Sequence, residues 1–313
     1  MRRACVRMKS WPLSGKPKLF LQVTDPMLDK TLYNTEEIVR LLAPQQVSAD
    51  KFVGQSHFMG SPNVFGGQAL AQSLYAAGIT VPERRPHSMH AMFLLPGNHQ
   101  LPIDYDVERV RDGGTFSTRR VVASQEGRRI FVMSASFQIA ETGLSHQKPA
   151  PEMHDPETLP SSLKIWQQQG RAAGLPFYPV PVDFRSNPTD NIFGGQPGSA
   201  TRQMWARAPM QLADEPLLHE SLFAYVSDYG LLWTALQPHS IGITDPRLQL
   251  ASLDHTIWFH RPLRMDDWLL FTMESPNASG GRGLSFAHVY NQHGILLATV
   301  AQEALIRLRD RKN

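Results

Sequence analysis

One succession of elements, a helix followed by several strands, occurs twice along this chain, and this repetition narrows the folds that the chain can adopt. In the first copy, a helix predicted at residues 65–77 precedes strands at 88–95, 103–110, 116–124 and 130–139. In the second copy, a helix at 220–236 precedes strands at 248–260, 268–275, 284–291 and 295–308. The sequence therefore predicts an α+β protein built from two copies of one unit, each with a central helix wrapped by an antiparallel sheet.

Short sequence echoes support the duplication. Phe93-Leu94-Leu95-Pro96 in the first copy corresponds to Phe259-His260-Arg261-Pro262 in the second, and Gln138 corresponds to Gln302. The segment between the copies is rich in proline and shows little periodicity, and a connection of this length is uncommon inside one compact unit. We therefore predict a basic N-terminal extension at residues 1–33, a first repeat at 34–140, a Pro-rich linker at 141–200 and a second repeat at 201–313.

The basic residues are most concentrated in the predicted extension. Residues 2–18 include six arginines and lysines and no acid, whereas the whole chain has a formal net charge of only +3. We expect this extension to be disordered or a non-native start, with a transit peptide as the alternative. The remainder is close to neutral and lacks a basic face with interleaved aromatic residues, so nucleic-acid binding is not predicted.

The composition excludes several other classes of protein. The chain is 42% hydrophobic and 19% charged, which is typical of a soluble globular protein. No apolar run approaches the roughly 20 residues of a membrane span, and no secretory signal is recognisable. The single cysteine, Cys5, cannot form a disulfide framework or a cysteine zinc cluster. We predict a cytoplasmic protein without a membrane span, a metal or a cofactor.

A polar residue on an apolar strand face is the main clue to function. Side chains alternate between the two faces of a strand, and Gln302 falls on the face formed by Leu296, Ala298, Val300, Ala304 and Ile306. A buried amide without a partner would cost about 1–3 kcal/mol. We therefore expect Gln302 to meet another polar group.

Asp228 and Ser252 are the candidate partners of Gln302. Asp228 borders the apolar stripe of the predicted helix, and Ser252 shares a strand face with Leu248, Leu250 and Trp258. Considered alone, such an acid is usually half-exposed, and such a serine usually bonds to local backbone. Together, a carboxylate, a hydroxyl and an amide can hold one water molecule and accept its proton. The trio therefore predicts a site that binds and activates water.

Other catalytic chemistries lack their residues. The sequence contains no Gly-x-Ser-x-Gly elbow, P-loop or dinucleotide-binding fingerprint. His219 and Glu220 could begin a zinc-binding helix, but Phe223 stands where the second histidine would be needed. His255 and His260 are expected on opposite strand faces, so we interpret both as structural or surface residues.

Several segments resemble the acyl-CoA thioesterase II family. They are Val64-Phe65-Gly66-Gly67-Gln68, residues 112–120, Ser134-Ala135-Ser136-Phe137-Gln138, Tyr225-Val226-Ser227-Asp228, Leu236-Gln237-Pro238-His239, residues 253–260 and Val300-Ala301-Gln302-Glu303. The likeness covers residues 34–309 in order. It implies a double hotdog, which is two fused copies of a long helix embraced by an antiparallel sheet, and assembly into a homodimer or homotetramer.

The resemblance also implies a reaction and its residues. Members of the family hydrolyse acyl-CoA, here expected to be medium- to long-chain fatty acyl-CoA, and the residues that would orient the water are Asp228, Ser252 and Gln302. Gln68 stands where an acid would be expected in the first repeat, so one catalytic site is expected. A backbone N–H, that of Gly67 or of a residue near Asp228, is a candidate oxyanion donor. The candidate substrate-binding residues are Gly66, Gly67, Gln68 and Arg282.

Two alternative functions remain open at this point. Hydration of an enoyl-CoA on the same architecture would need an Asp and His pair converging on the substrate, and the sequence indicates none around Asp228. A non-catalytic module that binds acyl-CoA is the other alternative.

Overall fold

The computed structural model describes residues 34–166, 180–187, 196–242 and 245–309. The predicted extension at residues 1–33, with Cys5 and the basic cluster, lies outside the described residues, as does part of the predicted linker. Each helix in the described ranges falls short of the length and apolar character needed to cross a bilayer.

The described residues form five α-helices and thirteen strands. The helices are α1 (Thr35–Leu42), α2 (Gly66–Ile79), α3 (Ser162–Ile165), α4 (Pro216–Ser227) and α5 (Leu231–Leu236). The strands are β1 (Gln45–Ser48), β2 (Lys51–Gly54), β3 (Arg85–Phe93), β4 (Ile103–Asp112), β5 (Phe116–Gln125), β6 (Arg128–Gln138), β7 (Asp183–Ser186), β8 (Thr201–Arg207), β9 (Leu248–Ser252), β10 (Asp254–Phe259), β11 (Leu269–Ser279), β12 (Arg282–Asn291) and β13 (Leu296–Leu308).

The thirteen strands belong to one sheet whose neighbouring strands are antiparallel. Their spatial order is β1-β2-β4-β5-β6-β3-β10-β13-β12-β11-β8-β7, and β9 pairs with β13 beside β10. The junction between the two predicted repeats is the pair β3 and β10, in which His90 lies opposite Thr256. The sheet is therefore continuous from one predicted repeat to the other.

One face of the sheet carries the helices and the hydrophobic core. Helix α2 packs against β3 to β6, and α5 packs against β11, β12 and β13. Helix α4 lies antiparallel on α2, since Gly67 of α2 approaches Tyr225 and Gly78 approaches Leu217. The main core is a buried cluster that extends from Ile38 to Val300, and a smaller cluster contains Trp205, Trp268 and Leu270. Burial of each large apolar side chain contributes about 1.5–3 kcal/mol. The start of α2 and the end of α4 consequently lie close to the same part of the sheet.

The helix predicted at residues 220–236 is broken in the structure. Helix α4 ends at Ser227 with Asp228 as its C-cap, and α5 begins at Leu231. Gly230, between them, has a φ of 92°, a conformation that glycine adopts at little cost. A Cβ at this position would also lie 2.9 Å from Sδ of Met273. Asp228 is therefore found at a helix end rather than inside a helix.

The strand predicted at residues 248–260 is interrupted by a β-bulge. Ser252 pairs with Ala304 and Thr256 pairs with Ala301, so β9 and β10 together contain one residue more than the part of β13 that they face. The extra residue reverses the alternation of side chains, because His255 and Ile257 are buried whereas Trp258 is 38% exposed. The expectation that Ser252 and Trp258 share one apolar face is therefore wrong.

Candidate active site

Asp228, Ser252 and Gln302 meet at the helix-bearing face of the sheet. The Nε2 atom of Gln302 donates to Oδ1 of Asp228 at 2.5 Å and to Oγ of Ser252 at 2.9 Å. The Ser252 hydroxyl in turn donates to Oδ1 of Asp228 at 3.3 Å. The structure thus brings into mutual contact the three residues that the sequence singled out.

Three different elements position this trio. Asp228 is the C-cap of α4, Ser252 is the last residue of β9, and Gln302 is an inward-facing, 1% exposed residue of β13. Ser252 pairs with Ala304, which makes it a diagonal neighbour of Gln302 on the same face. The bulge follows directly after Ser252, and such irregularities often occur beside active sites, where they redirect side chains.

The side-chain oxygen of Gln302 is the remaining hydrogen-bonding atom of the trio. Both hydrogens of the amide group are directed to Asp228 and Ser252. Oε1 is buried and accepts no hydrogen bond from a described residue. A buried acceptor without a donor is costly, so this atom can accept a hydrogen bond from a small molecule held beside Asp228.

Burial and hydrogen bonding have opposite effects on the pKa of the Asp228 carboxyl group. Burial raises its pKa from 3.8 to about 6, while hydrogen bonds from Gln302, from the backbone of Gly67 and from Ser252 act in the opposite direction. Burial disfavours the ionised form, whereas donors directed at the oxygens favour it. The group is consequently ionised at neutral pH, yet more basic than an ordinary aspartate, as a general base requires.

Aromatic rings lie close to the trio. The ring of Phe65 lies 5.0 Å from those of Tyr225 and Tyr229, and the ring of Phe184 lies 5.0 Å from that of Tyr229. The ring of Phe93 borders Gly66, next to Oδ2 of Asp228. Periodicity does not mark these rings as part of a site, because aromatic side chains on helices and strands usually belong to a core.

Two of the predicted substrate-binding residues at the start of α2, Gly67 and Gln68, make hydrogen bonds to different groups. The backbone N–H of Gly67 donates to Oδ2 of Asp228 at 2.9 Å. Gln68 is fully buried, and its Nε2 donates to the carbonyl of Gln55 at 3.1 Å and to Oγ of Ser56 at 2.9 Å. Gln68 lies in the first turn of α2, whereas Asp228 lies between α4 and α5, and the expected positional correspondence between them stays a prediction.

Arg282 lies away from the trio. Its Nε is 2.9 Å from Oε1 of Glu303, and this ion pair is exposed. Glu303 follows Gln302 on β13, so its side chain occupies the opposite face of the sheet. The substrate-binding role of Arg282 stays a prediction.

Comparison with known families gives two matches. The family profile described as "Acyl-CoA thioesterase" matches residues 177–305, and the profile described as "Acyl-CoA thioesterase N-terminal domain" matches residues 55–138. Among characterised relatives, Acyl-CoA thioesterase 2 of Haemophilus influenzae is 37% identical over 279 residues. The alignment covers 87% of this chain and 98% of that protein.

Solved structures agree on the fold. The acyl-CoA thioesterase II TesB2 from Mycobacterium marinum is 38% identical, with a TM-score of 0.72 over 88% of this chain and 99% of that one. A conserved protein of unknown function with a hot dog fold from Alicyclobacillus acidocaldarius is 20% identical, with a TM-score of 0.66 over 86% of this chain and 97% of that one. The predicted hotdog fold is thereby confirmed, while its division into two repeats stays a prediction.

Proposed function

This chain belongs to the acyl-CoA thioesterase family and is a thioester hydrolase, and we propose that it cleaves medium- to long-chain fatty acyl-CoA to a fatty acid and CoA by direct attack of a water molecule. The observation that carries the proposal is the contact of Asp228, Ser252 and Gln302, with Oε1 of Gln302 left to accept a hydrogen bond.

The proposed reaction uses Asp228 as the base. A water molecule held by Oε1 of Gln302 and a carboxylate oxygen of Asp228 attacks the carbonyl carbon of the thioester, and its proton passes to Asp228. The tetrahedral intermediate then expels the sulfur of CoA, which takes the proton from Asp228 and leaves as the thiol. Ser252 and the amide group of Gln302 keep the carboxylate oriented throughout, since both are bonded to Oδ1. General base catalysis of this kind typically contributes about 10²–10⁴-fold in rate.

The apolar surroundings of the trio support an acyl chain as the substrate group. Phe65, Phe93, Phe184 and Tyr229 place aromatic rings close to the carboxylate of Asp228. Rings of this kind favour a hydrocarbon chain over a charged acid, because apolar surface is removed from water on binding.

The structure gives the hydratase alternative no support. That reaction needs a histidine beside the catalytic acid, and His255 is the histidine of β10 that faces the core. Its Nε2 contacts Oγ of Ser227 at 2.9 Å rather than Asp228, and burial lowers its pKa to about 3. A histidine that stays neutral and bonds elsewhere is poorly suited to a pairwise proton transfer with Asp228.

We also propose that the hotdog fold is duplicated, with the boundaries predicted from the sequence. The echo between Phe93 and Phe259 corresponds to an offset of 166 positions (259 − 93), and the pair of strands at the junction places His90 opposite Thr256, the same offset (256 − 90). Equivalent strands would then pair with each other about a local two-fold axis. Helix α5 packs on its strands as α2 packs on β3 to β6, which agrees with this interpretation.

Assembly and location complete the proposal. On the face of β3 and β10 that is turned away from the helices, Met92 is 59% exposed and Trp258 is 38% exposed. Burial of these side chains against another copy of the chain would remove apolar surface from water, and we propose a cytoplasmic homodimer or homotetramer. Light scattering of the purified protein would measure its mass in solution, and a monomer would contradict this part of the proposal.

Release of free thiol tests the catalytic proposal. Wild-type protein incubated with butyryl-, dodecanoyl- and palmitoyl-CoA and a thiol reagent should release CoA fastest from the two longer substrates. Asp228→Asn should lower kcat by about 10²–10⁴-fold. Asp50→Asn is the matched control, because Asp50 is a surface acid paired with Arg109, and it should keep the wild-type rate.

Each other outcome has a defined meaning. Normal hydrolysis by Asp228→Asn would remove the acid from the mechanism. Loss of the double bond of an enoyl-CoA without thiol release would favour hydration. Binding of acyl-CoA without either reaction would leave a binding module.

A further inference from the structure

The start of α2 touches the catalytic acid. The backbone N–H of Gly67 donates to Oδ2 of Asp228 at 2.9 Å, while Gln302 and Ser252 donate to the other oxygen. Gly67 is in the first turn of α2, where backbone N–H groups have no acceptor within the helix. Its N–H is therefore free to bind a carboxylate without any loss of helical hydrogen bonding.

Gly66 has no room for a side chain because of Asp228. A Cβ built on Gly66 would lie 2.7 Å from Oδ2 of Asp228 and 3.0 Å from the ring of Phe93. Gly66 is not among the glycines with positive φ, so its backbone conformation does not require glycine. What requires glycine at this position is the approach of the carboxylate.

Gly67 allows α2 and α4 to come together at the site. A Cβ on Gly67 would lie 2.4 Å from the carbonyl oxygen of Tyr225 in the last turn of α4. A backbone atom cannot move aside as a flexible side chain can. The two helices reach this separation only with glycine here, and the separation brings the Gly67 N–H within reach of Asp228.

We infer that Gly66 and Gly67 are positioning residues for the hydrolytic reaction, which hold Oδ2 of Asp228 at the start of α2 so that Oδ1 faces Ser252 and Gln302. The inference rests on the proposed function. It assigns these glycines to the acid rather than to the substrate, and it engages the Gly67 N–H with the carboxylate, so that this group is not the oxyanion donor. The acid of the second predicted repeat is consequently fixed by the helix of the first.

The start of α2 also bears on the ionisation of Asp228. A helix N-terminus carries a partial positive charge that favours an anion. Burial raises the pKa of Asp228 to about 6, and the hydrogen bond from Gly67 is one of the interactions that limit this rise. Loss of that bond should therefore raise the pKa of Asp228 further.

The other titratable side chains around Asp228 are two tyrosines and two histidines. Burial raises the pKa values of Tyr225 and Tyr229 well above the ordinary value for tyrosine. Burial lowers the pKa of His57, which contacts Tyr225, and lowers that of His255 to about 3. The other contacts of Asp228, from α2, β9 and β13, come from a backbone amide, a hydroxyl and a side-chain amide. Asp228 is the titratable member of the trio, so we assign the acid limb of the pH profile of kcat to it.

The test is the pH dependence of kcat in two altered proteins. Gly66→Ala places a methyl group against Oδ2, and a backbone ester at residue 67, introduced as glycolic acid by nonsense suppression, replaces the N–H donor with an oxygen atom. In both, the acid limb near pH 6 should move upward by about one unit, since a charge-assisted hydrogen bond is comparable to one pKa unit. At pH 6.5, kcat should fall about threefold, and at pH 5 the fall should approach tenfold, while KM for dodecanoyl-CoA stays within about twofold.

Gly78→Ala is the matched control on the same helix. A Cβ on Gly78 would lie 2.4 Å from Cδ1 of Leu217, far from Asp228, so this variant should lose thermal stability but keep the acid limb of the wild type. If Gly66→Ala does not fold, the ester decides the question, because it adds no atom that could clash.

Two failures can be told apart. An unshifted acid limb in the ester protein, with Asp228→Asn inactive, would overturn the positioning role and leave the proposed hydrolysis intact. Full activity of Asp228→Asn would overturn the proposed function and this inference together. A fall in kcat of equal size at every pH would indicate a purely structural role for the glycines.

Discussion

Gln302 on β13 donates to Asp228 at the end of α4 across 2.5 Å, although the two residues are 74 positions apart in the chain. The amide is uncharged, so it stabilises the ionised carboxylate without adding a group that titrates. Burial of Asp228 acts against this stabilisation and raises its pKa to about 6. The opposition between these two effects links the stability of the protein to its activity.

Asp228→Asn should stabilise the protein at high pH. The pKa of Asp228 is raised from 3.8 to about 6 in the folded protein, so the folded state binds more protons than the unfolded state between these values. Stability attributable to this group is therefore lost as pH rises through about 6, and the asparagine removes the penalty. We expect the free energy of unfolding at pH 8 to increase by about 1–2 kcal/mol, less than the full shift because the amide gives up the bond from Gly67.

Urea unfolding at pH 8 and pH 4.5 measures this effect. The gain should be clear at pH 8 and much smaller at pH 4.5, where Asp228 is protonated in the folded protein. Asp50→Asn, which replaces an exposed surface acid, is the control. A variant that is less stable than the wild type at both pH values would show that the ionised carboxylate does not strain the fold.

Two replacements of Ser252 should separate the effect of its hydroxyl group on kcat from the effect of its side-chain size. Ser252→Ala removes the bond to Oδ1 of Asp228 and the acceptor for Gln302, and kcat should fall about tenfold, since about 1.4 kcal/mol of lost orientation corresponds to that factor. Ser252→Thr keeps the hydroxyl and should retain kcat within about threefold. KM should change little in either variant, because the contacts of Ser252 are with the proposed catalytic groups Asp228 and Gln302.

Steady-state kinetics with dodecanoyl-CoA provide the comparison for Ser252. Ser134→Ala is the control, because Ser134 is an exposed residue of β6 on the opposite face of the sheet. Equal rates for Ser252→Ala and the wild type would exclude the hydroxyl from the mechanism.

The ion pair between Arg85 and Glu220 should make stability depend on pH. Glu220 on α4 is 5% exposed and lies 2.6 Å from Arg85 of β3, and burial raises its pKa to about 7 in spite of the arginine. A raised pKa means that the ionised form costs stability above pH 7 and that this cost disappears as pH falls. Arg85→Leu should lower the free energy of unfolding by about 2–3 kcal/mol at pH 8, and partial exposure of Arg85 limits this loss. At pH 5 the loss should be much smaller, because Glu220 is then protonated.

Denaturation of this variant at the two pH values is the measurement. Arg109→Leu breaks an exposed pair with Asp50 and should cost less than about 1 kcal/mol at either pH. The same loss at pH 5 and pH 8 for Arg85→Leu would mean that packing of the arginine, rather than the charge of Glu220, determines the effect.

Much of the site could be predicted from periodicity alone. Gln302 stood out because a strand alternates its faces, and the structure buries it as expected. Ser252 was singled out by the same reasoning, although the bulge after it made the interpretation of Trp258 wrong. A bulge adds one residue without a distinctive sequence, so alternation carried across it assigns the wrong face.

The contacts of Asp228 with α2 could not have been predicted in this way. The bond from Gly67 depends on how α2 lies on α4, and this packing joins residues that are 161 positions apart. The sequence did contain a signal, since Gly66 and Gly67 stand together at the start of an otherwise Ala-rich helix. Adjacent glycines at a helix start indicate a close approach, but not which group approaches.

The pairing of β3 with β10 affects what would happen if the chain were divided at its predicted linker. Each strand supplies the hydrogen-bonding partner for the other, with Met89 opposite Ile257 and Ala91 opposite His255. Expressed separately, each fragment would expose an unpaired strand edge at β3 or β10. Such an edge commonly pairs with another chain and leads to aggregation. Co-expression of the two fragments would allow β3 and β10 to pair with each other again. A cleaved chain would then assemble into one folded molecule, although each fragment alone would aggregate.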